Sequence, residues 1–279
     1  MGSDVRNAAN RDCPLVRIAA VGDLHAGRES VGQFRPGFAD IASRADVLLV
    51  AGDLTQHGRL DEGKVLADEL ADLGVPTITV LGNHDLHENA EDAIRATLEE
   101  HGIKTLERES MVLELCGCTV GIAGVKGFGG GYAGACATEF GEPEMKAFIR
   151  HTKSVATRLR DDLCKLDTDI RIALTHYSPI KDTLVGERLE IYPFLGSYLL
   201  GEAIDQGGSD LALHGHAHRG TEYGVTAGGI PVRNVARPVI RSAYKIYSVS
   251  VRQEGRVRLA DVGAPPPPEM RPAVGAARG

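Results

Sequence analysis

The feature that most restricts this chain is a repeated punctuation: short apolar runs, each stopped abruptly by residues of different chemistry. Residues 15–21 halt at Gly22-Asp23-Leu24-His25, residues 46–51 at Gly52-Asp53-Leu54-Thr55, and residues 75–81 at Gly82-Asn83-His84-Asp85. Further on, residues 170–175 end in His176-Tyr177-Ser178-Pro179, and residues 210–213 in His214-Gly215-His216-Ala217-His218. Runs of this kind read as buried strands, because a strand with one wet face would alternate polar and apolar residues. Helical spacing over residues 30–44 (interrupted by Pro36), 59–73 and 91–101 alternates with the first strands. Gly74 and Gly102 supply C-terminal stops for the last two. That alternation predicts parallel strand–helix–strand units for the first third.

The middle changes character. Residues 111–115 and 119–125 flank Cys116-Gly117-Cys118 as a hairpin. The glycine-rich stretch 126–134 is expected to be a flexible surface loop rather than a phosphate cradle. Residues 142–166 form a long charged helix with an apolar stripe through Met145, Phe148, Ile149, Val155, Leu159 and Leu163. A short helix is expected over 195–205, then hairpin-like strands over 223–227, 230–235, 243–251 and 256–262. Residues 1–14 and the proline-rich 263–279 have the composition of a disordered leader and tail. No repeat or linker divides the remainder, so one domain over 15–262 is expected.

Charge and cysteine usage exclude several function classes. A net charge of −7 argues against long nucleic acid as the partner. The locally basic stretch 219–258 is expected to be a solvated sheet face. No apolar run approaches a membrane span, and no signal-peptide core is present, so a cytoplasmic location is expected. The five cysteines are odd in number and irregular in spacing, which points to reduced thiols rather than a disulfide framework or zinc site.

A single Asp or His at a strand end is usually a cap. Here the strand ends jointly carry Asp23, His25, Asp53, Asn83, His84, His176, His216 and His218. In a doubly wound sheet such ends converge at one edge. Oxygen and nitrogen ligands without cysteine suit Mn²⁺, Fe or Zn²⁺ in a reactive rather than structural site. These candidate ligands, with a carboxylate among them able to bridge, exceed the needs of one four-coordinate ion. They point to two metals roughly 3.5 to 4 Å apart.

These blocks, in this order, resemble the calcineurin-like metallophosphoesterase superfamily over residues 16 to about 260. The resemblance implies an α/β fold, a four-layer αββα sandwich with two mixed β-sheets. It implies that Asp23, His25, Asp53 and His218 hold one divalent ion and that Asp53, Asn83, His176 and His216 hold the other, with manganese favoured. Hydroxide between the metals would attack phosphorus. His84 would contact the phosphate and assist the leaving group, and Asp85 would fix the His84 ring. His57, Lys126, Tyr177 and His214 are weaker candidates for substrate contacts. The Gly-Asp-Leu-Thr element at 52–55 resembles that of small bacterial phosphodiesterases, so the expected activity is diester hydrolysis on a small phosphorylated substrate, nucleotides included. Alternatives are a phosphomonoesterase or diphosphate hydrolase of the same fold, and a non-catalytic scaffold, which retention of every ligand disfavours. No motif specifies an oligomeric state.

Overall fold

Strands β1 (Leu15–Val21), β2 (Val47–Ala51), β3 (Thr77–Val80) and β4 (Ile103–Thr105) lie side by side and parallel in the computed structural model, which describes residues 15–251 and 257–260. The expected leader and tail, and residues 252–256 and 261–262 of the expected last hairpin, fall outside the described residues. Helices α1 (Ile41–Arg44), α2 (Leu60–Leu70) and α3 (Glu91–Glu100) connect these strands. The helix expected over 30–44 is not there. Residues 28–30 and 35–38 form 3₁₀ turns, and α1 is a single turn of α-helix. Pro36 has no N–H to give an upstream carbonyl. The backbone N–H groups of Phe34 and Arg35 instead donate to the Glu69 carboxylate of α2, at 2.8 and 2.7 Å.

The chain continues through β5 (Glu109–Leu115), β6 (Cys118–Val125), the short β7 (Gly131–Tyr132) and β8 (Ala135–Cys136), α4 (Pro143–Lys165) and β9 (Ile170–Thr175). Then come α5 (Tyr192–Leu195), α6 (Tyr198–Gly207), β10 (Leu211–His214), β11 (Tyr223–Val225), β12 (Pro231–Asn234), α7 (Arg237–Ile240), β13 (Lys245–Val251) and β14 (Val257–Ala260). One mixed sheet has the order β14-β13-β1-β2-β3-β4 and the other β11-β12-β10-β9-β6-β5. The C-terminal hairpins therefore divide: β11 and β12 extend the second sheet, whereas β13 crosses back to lie antiparallel to β1.

Alternation along each strand builds four layers. Ile18, Ala20, Leu49 and Val80 of the first sheet face Ile122, Ile172 and Leu213 of the second across a shared core. The opposite faces, Ala19, Val21, Leu48 and Val50, pack under Ile41, Leu66, Leu70, Ile94 and Leu98 of α1 to α3. Ala123, Ala173 and Ala212 pack under Val155, Leu159 and Leu163 of α4 and Ile204 of α6. This is the expected αββα sandwich.

One surface expectation is corrected and a second holds only in part. The glycine-rich segment is largely buried through Tyr132. Gly130 N and Gly131 N donate to the carbonyls of Pro193 and Gly196 at 2.7 and 2.9 Å, and the Thr152 hydroxyl of α4 donates to that of Gly129 at 2.6 Å. Its polar backbone is thus satisfied by neighbouring chain, so it packs rather than floats. In the basic C-terminal stretch Arg219, Arg237 and Arg241 are exposed as expected, whereas Arg233 is buried with its guanidinium 4.7 Å from the Tyr223 ring centre, and Lys245 pairs with Glu222.

Candidate metal centre

The C-terminal ends of β1, β2, β3, β9 and β10 meet at one edge of the sandwich. Backbone bonds hold the first two loops together: Asp23 N donates to Gly52 O at 2.9 Å and His25 N to Asp53 O at 3.0 Å. The two sheets are stitched at the same place by Gly22 N to Val235 O at 2.8 Å, and within the second sheet Gly215 N to His176 O at 3.1 Å joins the ends of β10 and β9. Asp23, His25, Asp53 and His216 have φ of +58, +47, +47 and +70°, a left-handed region that L-residues rarely occupy. Each such residue costs on the order of 1 kcal/mol, which the surrounding bonds offset.

The glycines beside these residues make room for ligands from other strands. A Cβ on Gly82 would lie 2.0 Å from Asp53 Oδ1, and one on Gly215 would lie 2.4 Å from Asp23 Oδ2. Neither position can carry a side chain while the carboxylates stay in place.

Two sets of donor atoms result. Asp23, His25, Asp53 and His218 form one, and Asp53, His176 and His216 the other, with the atoms of each set within 4.8 Å of one another. Asn83 Oδ1 joins the second, 3.0 Å from His176 Nε2. Asp53 belongs to both: Oδ1 lies 3.3 Å from His176 Nε2, and Oδ2 lies 3.7 Å from His25 Nε2. In the first set His218 Nε2 is 2.8 Å from Asp23 Oδ1 and 3.5 Å from His25 Nε2. Ligands on opposite sides of an ion with bonds of 2.0 to 2.2 Å stand roughly 4.3 Å apart, so both sets can close around a divalent cation.

Hydrogen bonding tests the fit further. His176 Nδ1 lies 2.8 Å from the Ala51 carbonyl, which can only accept, so Nδ1 carries the proton. Nε2 then meets two oxygens, those of Asn83 and Asp53. Once Nε2 gives up its proton, three lone-pair groups converge there, an arrangement that a shared cation resolves. His216 Nε2 is 3.3 Å from the Phe194 carbonyl, which leaves Nδ1 as its ligand atom.

The electrostatics follow from crowding. Burial pulls the His176 pKa down, but the charge of Asp53 and its hydrogen bond overcome this and carry it to about 9. Burial, followed by the charge of His176, pushes His216 down to about 3. Burial also opposes ionisation of Asp53, yet His176 and the N–H of His84 hold its carboxyl well below the usual carboxylate range. His218 is raised chiefly by its hydrogen bond to Asp23.

His84 stands beside both sets, its Nε2 3.9 Å from Asp53 Oδ2 and its ring edge-on to His25 at 4.6 Å. Its Nδ1 lies 2.8 Å from the Gln56 carbonyl, so Nδ1 donates and Nε2 faces the site. Here one expectation fails. Asp85 does not orient this ring: fully buried, it accepts from Leu54 N (3.1 Å), Thr55 N (2.8 Å), Thr55 Oγ1 (2.6 Å) and Gly82 N (2.8 Å). It ties the β2 loop to the β3 loop. A main-chain carbonyl does the work assigned to the carboxylate, and nothing in side-chain identity announces a carbonyl.

The weaker candidates separate. His214 is fully buried, with Nδ1 2.7 Å from Gly215 O and Nε2 2.8 Å from Thr183 Oγ1, and burial lowers its pKa to about 4; it supports the loop and cannot reach substrate. His57 turns to Glu62 at 3.0 Å and helps begin α2. Tyr177 and Lys126 do lie beside the ligands. The Tyr177 ring is 4.4 Å from that of His216, and Lys126 Nζ sits 5.3 Å from the centres of both the Tyr177 and Phe128 rings. Among the described residues Lys126 forms no ion pair, and burial lowers its pKa. His87, given no role from sequence, stacks on His84 at 4.8 Å.

A family profile described as calcineurin-like phosphoesterase matches residues 16–220. Among solved structures, a phosphopantetheinyl hydrolase from Mycobacterium tuberculosis superposes with TM-score 0.62 at 17% identity, covering 84% of this chain and 96% of that one. A putative 5′-nucleotidase from Staphylococcus aureus gives 0.58 at 14%, covering 88% of this chain and 53% of its own. The anchor in the inner membrane complex of Plasmodium gives 0.52 at 12%, covering 90% of each. At these identities the likeness is one of fold. No curated protein sequence matches significantly. No helix among the described residues is long and apolar enough to cross a membrane.

Proposed function

The chain belongs to the calcineurin-like phosphoesterase family, whose members use a binuclear metal site, and from that premise we propose that it hydrolyses phosphodiesters of small molecules, nucleotide esters among them, with two divalent ions, preferably Mn²⁺. The observation that carries the reading is Asp53, one oxygen of which faces each donor set. Asp23, His25 and His218 would complete one ion's ligands, and Asn83, His176 and His216 the other's. Ions held there would lower the pKa of a water and neutralise phosphate oxygens.

The remaining roles belong to the chain. The Asp53 carboxylate, kept anionic by its neighbours, and the rings of His176 and His216, pinned by Ala51 O and Phe194 O, hold the donor atoms in register. His84 Nε2, when protonated, donates to the oxygen leaving phosphorus, a contribution of about 10² to 10⁴ in rate for a placed general acid. Gln56 O keeps the opposite edge of that ring from turning inward. Lys126, in no ion pair among the described residues, offers its ammonium to a phosphate oxygen.

The diester preference rests on the 52–55 element. Thr55 there is bonded to Asp85, so the panel of substrates has to decide it. Metal-loaded protein would be assayed on generic mono- and diesters, cyclic nucleotides and single-stranded DNA. Diesters should be turned over fastest, and Asp53→Ala should lose metal and activity together. Monoester turnover alone would replace the diester reading. Inactivity on every ester, with metals verified, would leave a scaffold.

A further inference from the structure

An apolar groove of about 560 Å³ opens beside the metal centre, walled by Met145 and Phe148 of α4, Pro193 and Phe194 before α6, and Ala135 and Ala137 of the short hairpin. Its volume falls within the range of sites that hold small molecules. Phe194 is 63% and Met145 42% exposed. Such side chains left in water forgo the burial that stabilises the rest of the fold.

Two paths join the groove to the ligands. The carbonyl of Phe194 is the group 3.3 Å from His216 Nε2, so one residue walls the groove and touches the donor set. The second is a line of rings: His216 to Tyr177 at 4.4 Å, Tyr177 to Phe128 at 6.0 Å, and Phe128 to Phe148 at 4.9 Å. Lys126 Nζ lies over the middle two. Outward from the metal ligands come a cation suited to phosphate, then aromatic rings, then a groove whose lining is apolar apart from Cys136 and the exposed Glu144. The segments forming the wall are fixed to each other by Gly130 N to Pro193 O at 2.7 Å, so the groove is built rather than incidental.

We propose that this groove holds the apolar arm of the phosphoester whose phosphorus sits at the Asp53-centred ligands. The substrate class is then a phosphoester with one alkyl or aryl substituent of several carbons. The inference rests on the proposed hydrolytic reading for its orientation but makes a separate claim, that recognition of the second arm is hydrophobic.

Two readouts keep the claims apart. Binding of methyl- to hexylphosphonate to the metal-loaded full chain, followed by calorimetry, should tighten by about two- to fourfold per added methylene over the first few. In parallel, kcat/KM on alkyl p-nitrophenyl phosphates, which share one leaving group, should climb with the same series. Met145→Glu should pull the hexyl-to-methyl ratio back toward one in both measurements. Equal affinity across the phosphonates overturns the proposal, as does a chain-length effect that survives Met145→Glu. Hydrolysis without a chain-length effect refutes the groove and spares the phosphoesterase reading. Chain-dependent binding without hydrolysis does the reverse. A concentration-dependent dimer in sedimentation that Met145→Glu dissolves would assign the groove to a second copy and overturn the proposal.

Discussion

Replacing Asp85 by Asn should unfasten two loops rather than misdirect a histidine. The wild-type carboxylate is fully buried and accepts four hydrogen bonds, from Leu54 N, Thr55 N, Thr55 Oγ1 and Gly82 N. An asparagine carbonyl can keep the two from Thr55, but its NH₂ then faces the N–H groups of Leu54 and Gly82. A buried donor deprived of its acceptor costs about 1 to 3 kcal/mol, so two cost roughly 2 to 6. Burial, then the charge of Asp53, raises the Asp85 pKa, and removing that buried charge offsets part of the loss. A net destabilisation of about 3 kcal/mol remains, corresponding to a drop of roughly 6 to 12 °C in Tm for a chain of this size. Thermal unfolding by circular dichroism measures the drop, and the pH–rate profile measures any change at His84. A variant with wild-type Tm and a displaced profile would refute this reasoning and return Asp85 to the imidazole.

Four further outcomes are expected. His84→Ala should retain two metals by elemental analysis while kcat falls by about 10² to 10⁴; unaltered turnover would remove the ring from proton transfer. Gly82→Ala should lose metal affinity despite adding only a methyl, because its Cβ would stand 2.0 Å from Asp53 Oδ1 and 2.1 Å from Asp53 N, the latter part of the main chain and unable to swing away; metal content equal to wild type would show that the two loops yield. Metal-free protein should release protons on loading in weak buffer at pH 7 to 8, because His176, raised to about 9, is then cationic and must become neutral to ligate. The same raised pKa stabilises the metal-free fold below about 6.5, the ordinary histidine value, and that contribution is lost as pH rises through about 9; a metal-free Tm independent of pH across that interval would contradict the assignment.

The parts of the fold that were legible in the sequence share a physical cause. Strands buried on both faces have no choice but to be apolar throughout, so β1, β2, β3, β9 and β10 stood out, and with them the polar residues at their ends. What escaped was decided by distant partners. The segment before α1 has residues compatible with a helix but is held by Glu69, from an element that begins far along the chain. The glycine-rich segment has the composition of a loose loop, yet its amides find the carbonyls of Pro193 and Gly196. At the site, Asp85 beside His84 invited the inference of a carboxylate orienting an imidazole. Adjacent residues point apart, and the bond came from Gln56 O, whose availability depends on backbone path alone.

The place of β1 in its sheet bears on how the protein is made. This strand carries the first ligands at its end, yet one of its two neighbours is β13, with Leu15 opposite Ser250 and Ala20 opposite Lys245. A chain emerging from the ribosome displays Asp23, His25, Asp53 and Asn83 long before His216 and His218 exist to join them. Until residues 245–251 arrive, the strand supporting the first of those ligands has an open edge. Closing a contact between segments this far apart in sequence is among the slowest steps available to such a topology. The candidate donor set is therefore complete only once residues 216–218 have been made, and the strand that carries its first members is flanked on both sides only after residues 245–251.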